Sequence, residues 1–90
     1  MAQTLAVAWS AAGLPTALRL GASLRLFGMR TVVDTQARGL AGARAWAHSL
    51  GAHNLLHLDG RGLVGWVPTG GRLRRLPPEQ VVARLAGSTP

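Results

Sequence analysis

From Met29 to Leu58, MRTVVDTQARGLAGARAWAHSLGAHNLLHL, apolar and polar positions alternate in the order strand, short loop, helix, Gly turn, strand. Val32 and Val33 form a β-branched run that stops at Asp34. Leu40, Ala43, Ala47 and Leu50 then recur at helical spacing until Gly51, which can cap the helix in a left-handed conformation. Leu55, Leu56 and Leu58 make a second apolar strand. Two buried strands bridged by a helix of this length fit a right-handed crossover, so residues 30–58 are predicted to form neighbouring parallel strands in one sheet.

Upstream, Gln3 to Trp9 alternates loosely, with Leu5, Val7 and Trp9 on one face and small alanines on the other, which predicts a buried first strand with Trp9 in the core. Ser10 to Pro15 is a connecting loop, and Pro15 suits a helix start because its missing N–H would have no partner there. The first helix is predicted from about Pro15 to Phe27. Ala17, Leu20, Leu24 and Phe27 line one face, Thr16, Arg19 and Ser23 the opposite one, and Leu18, Ala22 and Leu26 an apolar flank. Gly28 ends it.

Downstream, Asp59-Gly-Arg-Gly62 is a tight turn into a short apolar strand, Leu63 to Val67, and Pro68-Thr-Gly-Gly71 is a second turn. Arg72 to Leu76 alternates, Leu73 against Arg72 and Arg74, as expected of a strand with one wet face, and the two strands should form a hairpin. Pro77 and Pro78 stop that strand and open a final helix with Glu79 in its first turn, packed on the sheet through Val81, Val82 and Leu85. Gly87 to Pro90 reads as a frayed tail. The order strand, helix, strand, helix, strand, strand, strand, helix describes an α/β fold, a three-layer α/β/α sandwich forming a single domain over residues 1–90 with its ordered core in 3–86.

Ninety residues suffice for one core, which buries about 60–65% of the surface the unfolded chain exposes. Without Cys, disulfides and thiolate metal sites are excluded. The longest stretch free of charge, Met1 to Leu18, is broken by Gln3, Thr4, Ser10, Gly13 and Pro15, and lacks the basic start of a signal peptide. A cytoplasmic location, with no membrane contact, is the expectation. Ten arginines, no lysine and three acids leave a net charge of +7. Such a surface attracts polyanions through counterion release. The same bias towards Ala, Gly, Leu and Arg also fits a composition habit of the source genome, and charge alone does not separate the two readings.

The residues Ala17, Leu24, Gly28, Val33, Asp34, Arg38, Leu40, Ala47, Leu50, Gly51 and Ala52 spell a helix ending in Gly, a strand ending in Val-Asp, then Arg-x-Leu and a helix ending in Leu-Gly-Ala. In this wording the chain resembles the C-terminal anticodon-binding domain of class II aminoacyl-tRNA synthetases, most closely that of histidyl-tRNA synthetase. The likeness runs without gaps from Arg30 to Ala52, and the hairpin, the Pro-rich helix start and Val81-x-x-x-Leu85 match the family's ending. It implies a five-stranded mixed sheet with the fourth strand antiparallel, sandwiched by three helices, and a domain that grips the anticodon loop of tRNA. Two departures bear on function. Gly39 stands where the family carries serine, and Ala41 and Gly42 replace its pair of lysines, which removes positive charge near the expected RNA. The catalytic core of a synthetase is missing, so the chain by itself is not expected to be an enzyme.

Gly60-Arg-Gly-Leu-Val-Gly65 satisfies the dinucleotide fingerprint, but the segment after it is too β-rich and too close to Pro68 to be the helix that pattern requires, so turn glycines explain it. His48, His53 and His57 have only Asp59 as a nearby carboxylate, which makes solvated or edge histidines the better reading than a metal site. Asp34 and Asp59 fall at the carboxyl ends of strands, where each can end its strand by a backbone hydrogen bond, and Asp34 can pair with Arg38. With no Cys, no activated Ser and no second acid close to either, no catalytic constellation, metal or cofactor is indicated. The arginines are the stronger candidates: Arg38, Arg44 and Arg61 flanking the carboxyl edge, and Arg72, Arg74 and Arg75 on the last strand. Guanidinium groups fork onto phosphates and stack on unpaired bases, as a splayed RNA loop requires, though an Arg-rich strand also serves as a plain solvated face. Trp46 and Trp66 are either stacking platforms or core.

Two functions follow. The first is a non-catalytic module that binds tRNA or another RNA, either a synthetase fragment or a stand-alone paralogue, with an affinity that falls with salt and on Arg38→Ala or Arg74→Ala. The second is a protein-interaction or regulatory module derived from a histidyl-tRNA synthetase, linked for instance to histidine biosynthesis, acting as a homodimer or with a synthetase-type partner.

Overall fold

The computed structural model describes residues 4–68 and 71–87. Gln3, Thr69, Gly70 and residues 88–90, assigned above to a strand start, a turn and a tail, lie outside them. The elements are β1 (Thr4–Trp9), α1 (Leu14–Leu26), β2 (Arg30–Val33), α2 (Leu40–Ser49), β3 (Asn54–Leu58), β4 (Val64–Pro68), β5 (Arg74–Leu76) and α3 (Pro78–Gly87). Gly87 thus closes the last helix instead of opening the tail. The five strands make one mixed sheet in the order β2-β1-β3-β4-β5. β1 is parallel to both β2 and β3, with Val7 opposite Val33 on one side and Leu56 on the other, and β4 runs antiparallel to β3 and β5. The α/β/α sandwich expected from the order of elements is present, with α1 and α3 on one face and α2 on the other.

The crossover differs from the expectation in one respect. β2 and β3 are parallel and joined by α2, but they are not neighbours, because β1 lies between them. The reason is visible in the side chains. Leu5, Ala6, Val7 and Ala8 are all buried, so β1 is covered on both faces and takes an interior position between β2 and β3. β2 is instead an edge strand, in which Arg30 is exposed and Val32 is 36% exposed, so it is not the buried strand its valines suggested.

The two faces are filled unequally. Leu5, Val7, Leu56, Leu58 and Val64 meet Ala17, Leu20 and Leu24 of α1 and Val81 and Leu85 of α3 in the larger core. Each such large side chain contributes about 1.5–3 kcal/mol on full burial. On the opposite face Ala6 and Ala8 pack against Ala43 and Ala47, and these small residues let α2 lie close to the sheet over Leu55. Three side chains assigned to packed faces fall outside them: Phe27 is 62% exposed past the end of α1, Leu50 is 41% exposed past the end of α2, and Leu63 is 46% exposed before β4 begins. Each sits one residue beyond regular structure, where the periodicity that predicted its direction no longer applies. β5 is likewise shorter than the predicted Arg72–Leu76.

Candidate nucleic-acid interface

At the carboxyl ends of the parallel strands, the segment entering α2 is tied down from four sides. Asp34 ends β2 with its N–H donating to Val7 O at 2.9 Å, and its Oδ1 accepts the Gln36 N–H at 3.1 Å. Its Oδ2 accepts from Arg38 Nε at 2.5 Å. The Asp34 side chain is 2% exposed and that of Arg38 31%, so this carboxylate is buried and its partner is half-covered. The Arg38 guanidinium lies over the Trp46 ring, 5.8 Å from its centroid, and the Arg38 N–H donates to Trp9 O at 2.8 Å. His57 completes the set. Its Nε2 lies 2.8 Å from Arg38 O, and since a carbonyl only accepts, that nitrogen carries the proton. Trp9, half-buried at the margin of the larger core, donates from Nε1 to Asp34 O at 2.9 Å.

The loop after β1 and the turn after β3 close on each other at the same edge. The Ser10 N–H donates to Leu58 O at 2.9 Å, and a Cβ on Gly13 would stand 2.0 Å from that same carbonyl, so only glycine fits. Gly60 and Gly62, with φ of +86° and +89°, form the turn that carries Arg61. The strand β4 follows, so the segment matching the dinucleotide fingerprint is a glycine turn with no helix behind it. Asp59 shapes this turn by accepting the Arg61 N–H at 3.0 Å and lies 3.7 Å from Arg61 Nε.

Between these loops, the start of α2 and β5 lies a cleft of about 310 Å³, walled by Leu40, His57, Asp59, Arg61, Leu73 and Arg75. Arg61 and Arg75 are exposed and bring positive charge to it. The other candidate arginines are elsewhere. Arg72 and Arg74 border a second cleft, of about 380 Å³, with Trp66 and Pro68. Arg74 sits opposite Trp66 and Arg75 opposite Gly65, so strand alternation sends these neighbouring guanidinium groups to opposite faces of the sheet. Arg44 stands with His48 and His53 beside a shallower hollow of about 170 Å³ at the far side of α2. Arg38 belongs to the first edge, but its Nε is engaged with Asp34. Trp66, half-buried, donates from Nε1 to Asn54 Oδ1 at 2.9 Å, while Trp46 packs with the smaller core.

Leu40, His57 and Leu73 were not singled out as cleft residues, and only strand pairing reveals them: His57 and Leu73 meet across Gly65, which has no side chain to separate them. Ala11, with φ of +49°, is a non-glycine residue in left-handed conformation at the same cleft, and nothing in the sequence marks it. Among the described residues, no group of three or more His, Asp or Glu is placed to hold a metal. No helix among them is long and apolar enough to cross a membrane.

No protein-family model and no curated protein matches the sequence. Solved structures do. Histidyl-tRNA synthetase from S. aureus superposes with a TM-score of 0.77 at 18% identity over 94% of this chain. The RNA binding domain of threonyl-tRNA synthetase from Cryptosporidium parvum Iowa II gives 0.77 at 14% identity over 96%. Histidyl-tRNA synthetase from Nostoc sp. PCC 7120 gives 0.76 at 16% identity over 93%. The chain spans under a quarter of each of these, 23%, 23% and 21% of their lengths. At such identities the likeness is one of fold. The sandwich is of the anticodon-binding-domain type, as the Val-Asp, Arg-x-Leu and Leu-Gly-Ala wording implied.

Proposed function

We propose that this domain is a non-catalytic RNA-binding module that takes tRNA, or another structured RNA, at the carboxyl-edge cleft. The observation that carries the reading is the pair Arg61 and Arg75, exposed on the walls of that cleft in a chain of net charge +7 whose fold is of the anticodon-binding type. The cleft, about 310 Å³, suits one unstacked nucleotide, with guanidinium groups for its phosphate and Leu40 and Leu73 for the base. The threonyl-tRNA synthetase domain of the same fold is named for RNA binding, which supports the assignment. Arg72 and Arg74, beside Trp66, extend the basic surface around β5, and Arg44 adds charge along α2. Arg38 acts from behind, holding the Asp34–Gly39 loop that supports the cleft. The module works in the cytoplasm, inside a synthetase chain or as a stand-alone paralogue of the histidyl-tRNA synthetase domain, and needs no cofactor.

The test is tRNA affinity across a salt series. Each phosphate neutralised should contribute about 0.7–0.9 to the slope of log K against log salt, so Arg61→Ala and Arg75→Ala should each flatten the slope by about that amount. Arg84→Ala, on α3 away from the cleft, is the control. Equal retention of tRNA and heparin, with Arg61→Ala no weaker than Arg84→Ala, would reduce the activity to generic polyanion binding.

One feature favours a second reading, that of a protein-interaction or regulatory module derived from a histidyl-tRNA synthetase and linked to histidine biosynthesis. Leu18 and Leu26 are 55% and 88% exposed on α1, an apolar ridge that the RNA reading does not use.

A further inference from the structure

We propose that the outer face of α1 is a docking surface for one amphipathic helix of a second protein, with an apolar stripe flanked by acidic side chains. This deepens the protein-interaction reading and does not depend on the cleft binding RNA. The packed face of α1 is complete with Ala17, Leu20, Gly21 and Leu24. Leu18, Ala22 and Leu26, four residues apart and all exposed, form a separate line along the helix where a surface helix ordinarily carries polar groups. Phe27, 62% exposed, adds a further exposed apolar side chain just past the helix end. Together these side chains present roughly 400 Å² of apolar surface, within the range of patches that are often functional.

The charge around the ridge selects the occupant. At 100° per residue Arg19 and Arg25 fall on opposite sides of the line, one towards each end. Both are held in place: Arg25 donates from Nε and one terminal nitrogen to Thr31 O at 3.3 and 3.0 Å, and Arg19 reaches the Thr16 hydroxyl at 3.4 Å. α1 carries no acid of its own, since its sequence from Leu14 to Leu26 holds neither Asp nor Glu. A partner helix with glutamates or aspartates flanking its leucines would satisfy the ridge and both arginines. A second copy of this chain would not. Each copy carries +7, and two arginines would meet two arginines across a two-fold axis.

The experiment uses a designed helical peptide of about 18 residues with leucines on one face and glutamates on both flanks, its counterpart with lysines in place of the glutamates, and fluorescence anisotropy against the whole chain. The glutamate peptide should bind and the lysine peptide should not. Leu18→Gln with Leu26→Gln, which leaves the charge unchanged, should weaken binding by about ten-fold or more with tRNA affinity and circular dichroism unaltered. Arg19→Gln should reduce the preference for glutamate over lysine. Absence of binding, equal binding of the two peptides, or indifference to the leucine pair would overturn the proposal. So would a dimer in sedimentation that the leucine pair abolishes, which would make a second copy the occupant. Parallel loss of tRNA affinity in the leucine variant would assign the ridge to RNA.

Discussion

In an Arg38→Ala variant the Asp34 carboxylate, 2% exposed at its side chain, keeps the Gln36 N–H on Oδ1 but loses the guanidinium on Oδ2. Truncating one partner of a fully buried ion pair costs about 3–5 kcal/mol, because a charge is left without compensation. Arg38 is 31% exposed, so water reaches the vacated position and lowers the cost to about 2–3 kcal/mol. Loss of the contact with the Trp46 ring adds about 0.5 kcal/mol. For a domain of this size each kcal/mol moves Tm by about 4–8 °C, so the expected drop is about 10–28 °C. Urea and thermal melts of Arg38→Ala, Asp34→Ala and the double variant form a cycle. The double variant should fall short of the sum by about 1–2 kcal/mol, since it buries no lone charge. Well below its melting range, Arg38→Ala should bind tRNA within about two-fold of the parent, whereas a direct phosphate contact would cost several-fold. A variant that melts with the parent yet loses tRNA would refute the reasoning, because the guanidinium would then be serving the ligand and not Asp34.

Two further substitutions probe the same edge. Gly13→Ala would drive a methyl group to within 2.0 Å of Leu58 O, and separating the two loops should cost about 3 kcal/mol in urea denaturation; an unchanged midpoint would show that they do not pack this closely. Ala11→Gly removes the strain of a left-handed alanine and should raise stability by about 0.5 kcal/mol, and a loss of stability would mean that φ near +49° is not the conformation in solution.

Most of the layer structure was legible in the chain because periodicity reports which face of an element is apolar. Leu5 and Val7 against Ala6 and Ala8 separated the two cores before any strand was placed. Strand adjacency was not legible in the same way. The run from β2 to β3 specifies a parallel crossover but not whether a strand intervenes, and only the double-sided burial of β1 decides it. The arginines posed a different problem. Arg74 and Arg75 are adjacent in sequence yet face opposite sides of the sheet, and Arg38, close to the cleft, has its Nε on a buried carboxylate. Charge content predicts affinity for a polyanion; which guanidinium meets it depends on strand alternation and on the partners already taken.

The residues that carried the family resemblance explain why fold and function separate here. Ala17, Leu24 and Ala47 are core, Gly28 and Gly51 sit at helix ends with φ of +81° and +66°, and Asp34 with Arg38 is the ion pair that holds the loop into α2. Apart from Gly28, Leu50 and Gly51, which are exposed, these are positions where the chain packs on itself. The same sandwich is found in solved structures at identities of only 14–18%. The groups that would meet a ligand, Arg61, Leu73 and Arg75, lie on the β3–β4 turn, just before β5 and on β5, outside that wording. They touch solvent and can change with little cost to the core. The architecture therefore does not by itself fix RNA recognition, and the start of α2 carries no charge at Ala41 and Gly42, both exposed. On the proposed RNA-binding reading, affinity should be concentrated at the β3–β4 turn and β5, so that Arg61→Ala with Arg75→Ala removes most of it, and introducing lysines at positions 41 and 42 raises it without altering the fold.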